Sequence, residues 1–104
     1  MQDNERELLQ REAVTLTQDL IRIDTTNYGP SDDTVGEAEA AEFCAAALRE
    51  VGWDPEVITT TGDTRRGMVL RVPGTDPSSS ALVLHGHLDV VPAIAQDWSH
   101  PPFA

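Results

Sequence analysis

Three side chains capable of chemistry fall within five residues in the stretch Leu84-His85-Gly86-His87-Leu88-Asp89-Val90-Val91-Pro92. His87 and Asp89 are two apart, and in an extended backbone residues i and i+2 point to the same side. An imidazole and a carboxylate are therefore presented together. A carboxylate that accepts one ring N–H fixes the tautomer and leaves the other nitrogen to bind metal. The pair thus suits a metal ligand with an acid behind it. His85 shares the parity but lies lower on the strand, nearer the core. Gly86 lets the backbone approach something closely, or adopts a conformation other residues avoid. The alternative is a pair of histidines satisfied by their neighbours at a strand end.

The elements that must position this cluster can be read from periodicity. Ala81 to Leu84 is a short apolar run of the kind buried on both faces of a sheet, which makes it a third strand with the cluster at its C-terminal end. Asp3 or Asn4 is placed to cap a helix that runs to about Ile23. Its stripe of Leu9, Ala13, Leu16, Leu20 and Ile23 calls for packing on a sheet or another helix. The run from Asp24 to Asp33 is a loop rich in turn formers. Thr34 and Glu37 have the spacing of a capping box. A second helix follows to about Val51, with Ala41, Cys44, Ala45, Leu48 and Val51 on one face and Gly52 as its stop. Cys44 on that face reads as a buried, inert thiol. Glu56 to Thr60 and Gly67 to Val72 read as strands able to pair as a hairpin across the Thr61–Thr64 turn. The loop Pro73–Ser80 leads into the third strand, and Ala93–Ala104 reads as ordered loop. The expected class is α/β, a mixed sheet layered with helices.

Composition narrows the partners. The 104 residues, 39% of them apolar, allow one small domain with a core. Seven basic against 18 acidic residues give a net charge of −11. That balance argues against nucleic acid and anionic membrane, both of which demand a basic face. A single cysteine forms no intrachain disulfide, which agrees with a reducing compartment. The charged N-terminus has no apolar signal-peptide core, and no apolar run approaches the ~20 residues that span a bilayer. The expectation is a soluble cytoplasmic protein.

Three enzyme families end a strand with such a cluster. The metallo-β-lactamase pattern His-x-His-x-Asp-His matches from His85 to Asp89, but Val90 stands where it needs histidine. Amidohydrolase barrels use His-x-His without the following Asp-Val-Val-Pro. Leu84 to Pro92 more closely resembles the first signature of the di-zinc metallopeptidases that include acetylornithine deacetylase, succinyl-diaminopimelate desuccinylase, aminoacylase and carboxypeptidase G. Trp98-Ser99-His100-Pro101-Pro102-Phe103 resembles the Trp-x-x-Pro-Pro-Phe segment that follows in that family. Ile21 to Asn27 resembles the end of its first helix, and Gly36-Glu37 the start of its second.

The resemblance implies that His87 is a zinc ligand and that Asp89 is the catalytic-site acid orienting it, with His85 structural. Trp98, Pro102 and Phe103 would shape the adjoining wall, and His100 has no assigned role. It further implies two zinc ions, with cobalt as a substitute, and hydrolysis of amide bonds in small peptides or N-acyl amino acids by metal-activated water. Family members are often homodimers. The bridging aspartate, catalytic glutamate and remaining ligands of that family have no counterpart in the sequence, and Asp97 lacks their context. Residues 1–104 are therefore expected to be the N-terminal portion of a catalytic domain, inactive alone, with an open sheet edge and an exposed apolar face. The alternatives are a non-enzymatic truncated product or interaction module, and a metallo-β-lactamase-like hydrolase.

Overall fold

The computed structural model describes residues 1–30 and 34–104; Ser31, Asp32 and Asp33 of the expected loop lie outside the described residues. It is a small α/β arrangement of two helices and a two-stranded sheet: α1 (Asp3–Ile21), α2 (Ala38–Glu50), β1 (Glu56–Thr61) and β2 (Arg65–Val69), with a 3-10 turn at Ala95–Asp97.

The packed unit is α2 on the hairpin. β1 and β2 pair antiparallel from Glu56↔Val69 to Thr61↔Arg65, with an irregularity between Thr59 and Thr61 that leaves one residue over. Helix α2 can lie close to this sheet because its inner face is alanine. Ala40, Ala41 and Ala45 are its buried residues, at 1%, 0% and 0% exposure. Two ion pairs stitch the layers, Arg66 to Glu42 at 3.0 Å and Arg65 to Glu37 at 3.5 Å. Cys44 is only half-buried, and burial pushes its thiol above the usual value.

The two ends of α2 are set differently. At the C-terminus Gly52 takes φ +88°, its N–H donates to Arg49 O at 3.0 Å, and the Trp53 N–H donates to Leu48 O at 3.1 Å. This is a Schellman closure, as the glycine after Val51 suggested. At the N-terminus the expected capping box does not form. Thr34 Oγ1 instead accepts from the Tyr28 N–H and donates to Gly29 O. The Ala38 N–H is satisfied by Thr64 O at 2.9 Å. The hairpin turn thus satisfies the N–H of the first helical residue. Gly36, at φ +87°, permits that approach: a Cβ there would stand 2.4 Å from Thr64 O.

Helix α1 begins with the Gln2 N–H on Glu5 Oε2 at 2.8 Å, and Asn4 Oδ1 accepts from the Glu5 N–H. The expected helix is present, but its N-cap is Gln2 rather than Asp3 or Asn4, it ends at Ile21 rather than about Ile23, and the expected packing is absent. No residue of α1 is buried, and Leu9 and Leu16 are exposed. The expected third strand is also absent. Leu82, Val83 and Leu84 are 79–88% exposed and join no ladder. β2 stops at Val69 rather than Val72, and a cleft of about 1270 Å³ separates it and the residues after it from Ala81–Asp89. Burial of a strand on both faces needs layers packed above and below it, and among the described residues Leu82–Leu84 have neither such a cover nor a hydrogen-bonded neighbouring strand. The mixed sheet reduces to a hairpin plus one parallel bridge, Thr26↔Val90.

Candidate functional site

That single bridge positions the His-Asp cluster. The Asn27 N–H donates to Val90 O at 2.8 Å and the Val90 N–H to Thr25 O at 3.2 Å. Thr25 Oγ1 donates to Leu88 O at 2.7 Å. Thr25 and Thr26 are the buried polar residues among those described, at 4% and 1% exposure. Thr26 is held in turn by Asp24, whose Oδ1 accepts from its backbone N–H and its hydroxyl. The chain leaving α1 is thereby laid beside Leu88–Val90, and both polar side chains buried in the contact are satisfied.

His87 and Asp89 come together as their spacing predicted. His87 Nδ1 lies 3.0 Å from Asp89 Oδ1 and 2.9 Å from Asp89 O. A carboxylate and a carbonyl only accept, so Nδ1 carries the hydrogen. In the neutral ring Nε2 then holds the lone pair, and the His87 side chain is 79% exposed. The other carboxylate oxygen, Asp89 Oδ2, accepts from Asn27 Nδ2 at 2.9 Å. Asn27 Oδ1 accepts from the Gly29 N–H at 2.8 Å. One neighbour of this amide only accepts and the other only donates, which fixes its orientation. The Asn27 amide beside Asp89 holds its carboxyl below the usual carboxylate range, and His87 adds to the effect.

The other residues of the cluster behave differently. His85 is exposed and makes no side-chain hydrogen bond among the described residues. Gly86 faces open space and does not take a positive φ, so neither of the uses expected of that glycine is made. Trp98, Pro102 and Phe103 do line a cavity beside His87, of about 570 Å³, together with Leu20 of α1 and Ile23 just beyond its end. Asn27 is the site residue that spacing did not reveal. It lies 62 positions from Asp89, and only its place at the end of the first helix offered a signal.

The donors suit one metal ligand and its backing. His87 presents one imidazole nitrogen, and Asp89 is turned toward that ring and toward Asn27. Among the described residues no group of three or more His, Cys, Asp or Glu side chains gathers to hold a metal ion. No helix among them is long and apolar enough to cross a membrane.

The chain is similar to aminoacylase-1. It is 32% identical over 94 residues to the Homo sapiens protein and 34% identical to that of Mus musculus, the alignment covering 88% of this chain in each case. Aminoacylase-1 of Dictyostelium discoideum is 25% identical over 95 residues. The chain spans about 21–22% of the length of these curated relatives. No protein-family profile matches the chain, and no solved structure does.

Proposed function

We propose that this chain is one portion of the catalytic domain of a zinc-dependent amide hydrolase related to aminoacylase, and that it supplies one metal ligand, His87. The observation that carries this reading is the His87–Asp89 pair, with Nδ1 engaged by an acid and Nε2 unencumbered. The similarity to aminoacylase-1 supports the same class of chemistry. The substrate class is the amide of an N-acyl amino acid or small peptide. The complete enzyme is a cytoplasmic homodimer with two zinc ions, for which cobalt substitutes.

In this role Asp89 holds the His87 ring in one tautomer and one orientation. Its negative charge makes the imidazole a better donor. Bound zinc would supply Lewis acidity and an activated water. The described residues place no carboxylate free to take that water's proton beside His87, since Asp89 is committed to His87 and Asn27. One histidine with an outer acid falls short of the roughly four ligands of a closed zinc site. The chain alone is therefore expected to be inactive.

The test is zinc content by metal analysis of the purified chain, with an assay on N-acyl amino acids. The expected result is far less than one zinc per chain and no turnover. Stoichiometric zinc with turnover would sink the reading. A second reading, a non-enzymatic interaction module, draws on the exposed run Leu82–Leu84. Loss of the zinc response at His87, with a defined complex formed through that run, would favour it.

A further inference from the structure

Among the described residues, Asn27 is the one side chain from outside Asp89's own segment that hydrogen-bonds to it. It is anchored at three points: its N–H on Val90 O, its Oδ1 on the Gly29 N–H and its Nδ2 on Asp89 Oδ2. An aspartate two residues after a histidine has several rotamers, and only some place a carboxylate oxygen on the ring nitrogen. His87 is too exposed to impose that choice by packing. The backbone of Asp89 does not impose it either, because its carbonyl already accepts from His87 Nδ1 whatever the side chain does.

We propose that Asn27 is a positioning residue for the site: its side-chain amide holds Asp89 Oδ2 and so keeps Oδ1 on His87 Nδ1, presenting His87 Nε2 to a divalent cation. The inference rests on the reading of His87 as a metal ligand. It extends the site to the segment that follows α1. A brace from a part of the chain 62 residues away sets the Asp89 rotamer before any metal arrives.

The decisive variant is Asn27→Asp, which keeps the acceptor for the Gly29 N–H and the size of the side chain but removes the donor. In the metal-free, 15N/13C-labelled chain, Asp89 is expected to show one χ1 rotamer by its Hα–Hβ couplings. Asn27→Asp should make those couplings average. The N27D/D89N exchange recreates the bond with donor and acceptor reversed and leaves an amide oxygen for His87 Nδ1, so it should restore the single rotamer at position 89. A purely structural role for Asn27 does not predict that rescue.

A nuclear Overhauser contact between the Asn27 side-chain amide and the Asp89 Hβ protons reports on the unaltered chain even if a variant unfolds. Its absence overturns the proposal, as does an unchanged Asp89 rotamer in folded Asn27→Asp. Zinc titration separates this idea from the one beneath it. A zinc response at His87 Nε2 that is the same in Asn27→Asp overturns the brace and leaves the ligand reading intact. A rotamer held by Asn27 with no zinc response at His87 supports the brace and removes the ligand reading. A response weakened by on the order of tenfold in Asn27→Asp, the low end for partners outside the coordination sphere, supports both.

Discussion

At the scale of single residues, Asp89 joins two parts of the chain, and its acidity records this. The Asn27 amide and His87 favour its charged form, so it protonates at a lower pH in the folded chain than in the unfolded one. Its contribution to stability is therefore fully present above the unfolded carboxylate value of about 3.9 and is lost as pH falls through the lower folded value. The side chain is 33% exposed, so solvent moderates the effect. A 13C carboxyl titration should place the Asp89 midpoint below the one found in denaturant. A midpoint at or above it contradicts the Asn27 contact. Asp89→Ala should weaken zinc binding at His87 by about 10- to 100-fold while leaving the hairpin intact, measured by zinc titration of the ring nitrogens. The His-x-Asp pairing was legible because it needs only the parity of extended backbone. Asn27 was not, because a hydrogen bond across 62 residues leaves no periodic trace.

At the scale of elements, the α2–hairpin unit follows local rules and the rest of the chain does not. Ala41 and Ala45 on the α2 face, the Gly52 stop and the hairpin were readable, because helix period, capping chemistry and strand alternation act over a few residues. Ala40 was not part of the expected face, and Val51, expected on it, is 70% exposed. The Thr34 capping box failed because α2 starts later, with Glu37 itself at the N-cap, and Thr34 Oγ1 is taken up by the Tyr28 N–H and Gly29 O. Thr64 O meanwhile accepts from the Ala38 N–H. Gly36 is the hinge of that contact. Gly36→Ala puts a side chain at φ +87° and against Thr64, and should cost about 1–3 kcal/mol. A thermal melt followed by circular dichroism measures this, and an unchanged midpoint denies the close approach. Ala41→Leu should cost a similar ~1–3 kcal/mol, because Ala41 is wholly enclosed between α2 and its neighbours. The third strand was misread for a physical reason: an apolar run states that it is suited to burial, but not whether partners are present to bury it.

At the scale of the whole molecule, the chain is more open than its length would give. Its radius of gyration is 16.6 Å, against about 13 Å for a compact domain of this size. Its accessible surface is 8574 Å², where a folded monomer of this mass exposes roughly 5,700 Å². The excess is partly apolar, on α1 and on Leu82–Leu84. Surface of that kind favours association. Size-exclusion chromatography should therefore show self-association or an expanded monomer, and a compact monomer with cooperative unfolding would contradict the open arrangement. The same openness agrees with the proposal that His87 is a single braced ligand rather than part of a closed metal centre, since no group of three or more ligating side chains gathers among the described residues. The most direct test of that claim is a zinc titration followed by the ring nitrogens of all three histidines. The account predicts a selective shift at His87 Nε2, saturating only at weak affinity, with His85 and His100 unmoved. Equal shifts at all three, or none at His87, would contradict it.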